Sequence, residues 1–284
     1  MREPLVWITG AGGLIGSHLA RNAAGLAPGW QIAALTREQL ELTDFEAVTR
    51  AFISQNPSLI IHCAALSRSS ACQENPALAE LVNVSVTRHL CELAGEIPFI
   101  LFSTDLVFDG RQGNYIETDS PNPLSVYAET KMRAEQVVLK NPRHTVIRTS
   151  LNTGVSPTGD RSFTEVMRRA WERGEKLKLF TDEFRAPIPA VVTARAVWEL
   201  ARQNKPGLYH LAGREQLSRW EIGQLLARRW PEVSAKMEQA SIKDFAGPTR
   251  PADTSLNCVK IQALLSFRLP ALSEWLRNNP REPV

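Results

Sequence analysis

Short apolar runs recur along the first half of the chain, and each is followed by a stretch with helical periodicity. Leu5-Val6-Trp7-Ile8-Thr9 reads as a buried strand, and Leu14 to Ala24 as a helix that closes at Gly25. Gln31 to Leu35 predicts a second strand. Asp44 then caps a helix through about Ser54. Leu59 to Cys63 is a third strand, and Asn75-Pro76 opens a long helix to about Ala94. Pro98 to Phe102, a helix from Pro123 to Leu139, and a strand from Thr145 to Arg148 continue the alternation. Strands and helices in this order specify the α/β class, with a doubly wound parallel sheet.

The rhythm loosens after Arg148. Asn152 to Asp160 reads as a loop, Ser162 to Arg173 as a basic amphipathic helix, and Leu177 to Phe180 as a short strand. Proline-rich Ala186-Pro187-Ile188-Pro189 precedes a helix from Val192 to Arg202 and a strand from Gly207 to Leu211. Ser218 with Glu221 forms a capping-box signature, and the chain closes in a helix near Leu272 to Arg277. Residues 1–150 are expected to form a dinucleotide-binding domain. Residues 151–284 form a smaller substrate-binding region, with a segment near 187–211 returning to the main sheet.

Composition removes several function classes. The chain has 284 residues, 43% hydrophobic and 22% charged, which suits a globular protein. A net charge of +3 gives no footing to nucleic-acid or membrane-surface binding. No apolar run has the length to span a bilayer, and the N-terminus lacks the layout of a signal peptide. Cys63, Cys72, Cys91 and Cys258 have neither metal-ligand nor redox-pair spacing, which suits a reducing cytoplasm.

The chemistry begins at Gly10, Gly13 and Gly16, which make a G-x-x-G-x-x-G turn between strand and helix. Glycines permit the tight turn, and the new helix, opening at Leu14 and Ile15, offers free N–H groups to a pyrophosphate. The second strand ends in Leu35-Thr36-Arg37, without the acid that binds a ribose diol in NAD sites. Arg37 and Thr36 suit a 2′-phosphate. NADP(H) is therefore the expected cofactor, with NAD(H) as the alternative, and Glu41 falls near the adenine.

Tyr127 and Lys131 stand four residues apart, on one helical face. Their spacing predicts a proton-donating phenol with an ammonium that lowers its pKa and holds the cofactor ribose. Ser103-Thr104-Asp105 lies one strand-to-helix connection upstream. Thr104, or Ser103, is the candidate second hydroxyl on a developing alkoxide. Asn83 is a candidate support or relay residue. His210 and the tryptophans, Trp220 and Trp230 among them, read as packing groups.

Eight segments in order, TGAGGLIG, HCAA, FSTDLVFDG, YIETDSPNPLSVYAETKMRAEQ, VIRTS, FRAPI, GLYHLAG and RPADTSLN, resemble the extended short-chain dehydrogenase/reductase family. The nearer likeness is to its dTDP-4-dehydrorhamnose reductase branch. That resemblance implies a Rossmann-type fold, a catalytic set of Thr104, Tyr127 and Lys131, and a nicotinamide pocket lined by Ala64, Ala65 and the end of the fifth strand. It also places Ser103 at the cofactor, and Ser67, Asp105, Leu106, Leu151, Arg185 and Arg250 toward a nucleotide-sugar substrate. A homodimer through the two long helices follows from the same likeness.

Departures from the branch sit around the substrate. Leu106 replaces a tyrosine, Leu151 replaces a tryptophan, and Ser67, Arg68, Ser69 and Ser70 replace the usual charged residues. His18 stands where some members begin an acidic metal cluster, so no metal is expected. The expected activity is reduction of a keto group on a nucleotide-linked deoxy sugar or a related small carbonyl. The alternative is a dinucleotide-binding partner protein, similar to the regulatory subunit of methionine adenosyltransferase. Epimerisation or dehydration would need a further acid or base, which the sequence does not offer.

Overall fold

The computed structural model describes residues 3–247 and 249–284. β1 (Leu5–Thr9) leads through the glycine turn into α1 (Leu14–Leu26), followed by β2 (Gln31–Leu35), α2 (Phe45–Gln55) and β3 (Leu59–His62). α1 runs past Gly25, and the Asp44 carboxylate caps α2 by accepting the Ala47 amide at 2.9 Å. Short α3 (Ser69–Glu74), which the sequence pattern does not announce, precedes α4 (Pro76–Glu80), a π turn (Leu81–Ser85) and α5 (Val86–Ala94). The long helix expected here is thus interrupted by one wide turn.

β4 (Phe99–Thr104), α6 (Val126–Val138) and β5 (Thr145–Thr149) follow. α6 starts three residues later than Pro123, because Ser125 takes the N-cap and its hydroxyl accepts the Ala128 amide. The chain continues through β6 (Asn152–Thr153), α7 (Phe163–Glu172), β7 (Lys176–Phe180), β8 (Phe184–Arg185), β9 (Ile188–Pro189) and α8 (Ala190–Gln203). β10 (Gly207–Leu211), β11 (Leu217–Ser218), α9 (Arg219–Arg229), β12 (Lys236–Ala240), α10 (Val259–Gln262) and α11 (Leu272–Asn278) complete it. Ser218 and Glu221 close the capping box at α9.

One six-stranded sheet, in the order β10-β5-β4-β3-β1-β2, organises the molecule, and every pairing in it is parallel. The chain winds one way from β1 to β2 and the other way from β3 onward, so β1 and β3 border the reversal point. Ligand crevices form outside the strand ends at such a point. One face buries Ile8, Ile61, Ile147 and Leu211 under α1 and α8, and the Trp198 indole locks those helices by donating to the Leu19 carbonyl at 3.1 Å. The other face buries Trp7, Ile60, Phe99 and Leu101 under α2, α5 and α6. β10 returns from the second half of the chain to pair with β5, while Trp171, Ile222, Trp230 and Trp275 build a separate apolar cluster around α7, α9 and α11. No described helix is long and apolar enough to cross a membrane.

Candidate active site

The glycine turn closes the floor of the crevice. Gly10 has φ +69, and a Cβ there would stand 2.6 Å from the Ala64 amide nitrogen after β3. Gly16 lies so close to the Gly10 carbonyl that a side chain would push α1 away from the turn. The Gly13 amide bonds the Gly10 carbonyl at 2.9 Å and brings Leu14 and Ile15 to the helix start. Gly13 caps α1 with no side chain, and the first turn carries no acid. The positive end of the helix is therefore open toward the crevice, a cradle suited to a diphosphate. Ala64 and Ala65 are half-buried beside it.

At the end of β2 the Thr36 amide donates to Gln39 Oε1 at 2.8 Å, and Arg37 projects with 87% of its side chain exposed. Arg37 Nε meets Glu41 Oε2 at 2.6 Å. Glu41 is in turn held by the Thr43 amide and hydroxyl, which, with Arg37, keep its carboxyl below the ordinary range against a smaller opposing effect of burial. An acid thus does reach this corner, but from the loop rather than the strand end, and it aims the guanidinium.

Lys131 lies one turn beyond Tyr127 on α6 and is 2% exposed, whereas Tyr127 is half-buried. Burial lowers the Lys131 pKa to about 8, with the Glu135 carboxylate foremost in opposing it. Tyr127 departs from the expected direction. Burial, then the negative charge of Asp105, push its phenol above the ordinary value, and the Thr104 hydroxyl only partly opposes them. Desolvation of a phenolate outweighs the nearby ammonium. The phenol is therefore protonated in the neutral range, the state needed to donate to a carbonyl oxygen.

Thr104 ends β4 and is 7% exposed. Its oxygen accepts the Leu106 amide at 3.1 Å, and its hydroxyl donates to Asp105 Oδ1 at 3.1 Å. Ser103, one residue earlier, faces the opposite side of the sheet and donates to Glu135 Oε1 at 2.5 Å. That corrects Ser103 as an alternative hydroxyl donor: strand alternation turns it away from the crevice. Asn83, on the π turn, accepts the Leu66 amide at 2.8 Å and donates to the Leu66 carbonyl and to Thr130 Oγ1. Thr130 donates to the Tyr127 carbonyl, so Asn83 pins the loop after β3 to the Tyr127 helix.

The residues expected at the substrate divide into two groups. Ser67 is exposed on the loop before α3, Leu106 is half-buried beside Thr104, and Leu151 packs partly into the cluster around α7 and α9. Asp105 and Arg185 are buried and engaged with protein. Asp105 Oδ2 accepts Ser150 Oγ at 2.8 Å and Thr254 Oγ1 at 2.9 Å, with Arg185 Nε at 3.8 Å. Arg185, with a side chain 3% exposed, pairs Glu183 at 2.9 Å and bonds the Phe184 and Pro251 carbonyls. Both are buried struts bonded to other protein groups rather than open contacts, unlike the sequence expectation. Arg250 pairs Glu183 through Nε at 2.7 Å and Nη2 at 2.9 Å, with 32% of its side chain exposed at the edge of the same cluster.

Sequence reasoning missed Glu183, Arg219, Glu135 and Arg148. Glu183 is fully buried and gathers Arg185, Arg219 and Arg250. Arg148 lies inside VIRTS, but only the structure shows that it pairs Glu135. His18 Nε2 stands 3.2 Å from the Val155 carbonyl, and burial, aided by Arg21, lowers its pKa to about 4. Among the described residues no three histidine, cysteine or acidic side chains gather as metal ligands. His210 is buried against Phe108 with Nδ1 2.9 Å from the Tyr115 carbonyl.

The model of the RmlD substrate binding domain matches residues 4–279. A probable low-salt glycan biosynthesis reductase, Agl14, of Haloferax volcanii is 28% identical, with 95% of each chain covered. Methionine adenosyltransferase 2 subunit beta of Danio rerio is 28% identical over 91% of this chain and 84% of its own. The dTDP-4-dehydrorhamnose reductase of Sinorhizobium fredii is 28% identical over 95% and 94%. Among solved structures, dTDP-4-dehydrorhamnose reductase from Bacillus anthracis in complex with NADP superimposes with a TM-score of 0.89 at 22% identity, covering 98% of both chains.

Proposed function

Because the chain belongs to the RmlD substrate-binding domain family, an extended short-chain dehydrogenase/reductase group, we propose that it is an NADPH-dependent reductase of a nucleotide-linked keto sugar. The observation that carries this reading is that the Thr104 hydroxyl, at the end of β4, reaches the Tyr127 phenol, while Lys131, one turn along α6, is buried beside His62 and Cys63 at the end of β3. Reductases among the relatives support it.

When bound, the nicotinamide supplies the hydride. The chain's own residues manage the oxygen. A protonated Tyr127 donates to the carbonyl oxygen as it gains charge. Thr104 can turn its one proton from Asp105 to the same oxygen. Lys131, buried and paired with no carboxylate among the described residues, is suited to hold a ribose diol and to offset charge left on the phenol. The uncapped α1 would hold the diphosphate, and Arg37 would supply the positive charge for a 2′-phosphate.

Turnover of NADPH across a panel of 4-keto sugar nucleotides tests the reading. Tyr127→Phe should lower kcat by about a hundredfold or more while leaving NADPH affinity within a few-fold. Full activity of that variant, or silence of the parent protein across the panel, would overturn it.

A second reading has its own support. Leu106 and Leu151 remove two aromatics from the substrate side, and the methionine adenosyltransferase beta subunit is a relative of equal identity. NADPH binding without turnover, with co-purification of a methionine adenosyltransferase catalytic chain, would favour it.

A further inference from the structure

Behind Lys131 lies a polar group buried in the face of the sheet under α6. Glu135 follows Lys131 by one helical turn, a spacing at which the two side chains can reach each other. They do not pair. Arg148, from β5, holds Glu135 in a fork: Nε to Oε1 at 3.0 Å and to Oε2 at 3.1 Å, and Nη2 to Oε2 at 2.7 Å. Both side chains are 3% exposed. Ser103 Oγ takes Oε1 from the side, and Arg148 stacks over the Phe108 ring at 5.0 Å. All the contacts point the carboxylate toward the sheet.

We propose that Arg148 and Ser103 form a clamp that keeps the Glu135 carboxylate off Lys131, leaving the ammonium free for the cofactor ribose, so that Glu135 and Arg148 are positioning residues of the hydride-transfer site. The role at the ribose rests on the reductase reading above; the clamp itself does not.

The other groups facing Lys131 cannot replace Glu135 as a source of charge. Burial, with help from Lys131, lowers His62 to about 3, so it is neutral. Burial pushes the Cys63 thiol far up, so it is neutral too. Tyr127 is protonated, and the charge of Asp105 is felt at Tyr127. Among the described residues Glu135 is the one nearby carboxylate favouring the charged lysine, and its orientation sets how strongly it does so.

The test is the titration midpoint of Lys131, read by carbon-13 NMR of the labelled lysine side chains and assigned with Lys131→Arg. The pH dependence of NADPH affinity is measured alongside. The parent midpoint should fall at about 8. Glu135→Gln should lower it by about one unit, since a buried countercharge is lost. Arg148→Lys, which keeps the charge but loses the fork, frees an oxygen for Lys131 and should raise the midpoint by about half a unit. Ser103→Ala should raise it by less, and it serves if Arg148→Lys does not fold. Shifts of the same sign, or none, overturn the clamp. Opposite shifts in a protein that reduces no sugar nucleotide leave the clamp standing and remove the reductase reading. Turnover with an unmoved midpoint removes the clamp alone.

Discussion

Asp105 and Thr254 lie 149 positions apart and meet at 2.9 Å, the threonine hydroxyl donating to Oδ2. Ser150 bonds the same oxygen, and the Thr104 hydroxyl bonds the other. One buried carboxylate thus joins the ends of β4 and β5 to the C-terminal loop beneath Tyr127.

Asp105→Ala strands the hydroxyls of Thr104, Ser150 and Thr254 together. The expected loss is about 3 kcal/mol of stability, because three buried donors lose their acceptor. Thermal unfolding should show a midpoint several degrees lower; a change under about one degree would contradict the assignment.

On the proposed reading, Arg37 governs cofactor choice from an exposed rim. Arg37→Ala should weaken NADPH about tenfold and leave NADH nearly unchanged. Glu41→Gln, which releases the guanidinium, should cost NADPH affinity less. Equal losses for both cofactors would show that Arg37 does not read the 2′-phosphate.

Lys131 links stability to pH with a definite sign. Its folded pKa of about 8 lies below the ordinary 10.5, so the unfolded chain binds the proton more readily. Below pH 8 the fold carries the full penalty of burying the ammonium. As pH rises from about 8 to 10.5, that penalty disappears. Lys131→Met should therefore add about 3 kcal/mol at pH 7, with the gain fading by pH 10, and should weaken NADPH binding. Urea titrations at the two pH values measure it. A variant that is less stable at pH 7 would contradict the sign.

Glu183 works in the opposite sense. Burial favours its neutral form, but Arg219, Arg250 and Arg185 prevail and hold it at about 2. Its contribution is present above the ordinary 4.5 and is lost as pH falls toward 2. Glu183→Gln should cost about 3–5 kcal/mol near neutrality by leaving buried guanidinium charge uncompensated. In acid unfolding curves the difference from the parent should shrink below pH 4; a constant gap would place the loss elsewhere.

The features legible in the sequence were those decided locally. Gly10 and Gly16 report backbone contacts that leave no room for a Cβ, and Tyr127 with Lys131 reports helical spacing. Alternating strands and helices gave the parallel sheet. Partners distant in sequence were not legible: nothing near Glu183 says that Arg219 and Arg250 gather on it, or that Arg148 reaches Glu135. The rise of the Tyr127 pKa depends on desolvation, which no spacing encodes. Ser103 and Thr104 are adjacent hydroxyls in a strand buried on both faces, so no polar alternation marks which one looks into the crevice. The π turn escaped notice because one wide turn leaves the apolar pattern of α4 and α5 almost intact.

The return of β10 to the edge beside β5 has a consequence for how such a protein can be cut or recombined. A chain ending near residue 150 would lack both that strand and α8. It would leave the β5 edge unpaired and uncover Ile8, Ile61 and Ile147 on the α1 side. Such a fragment invites aggregation rather than independent folding. Exchange of specificity between relatives is thereby confined to segments grafted between strands that stay together, instead of whole modules traded at a single junction.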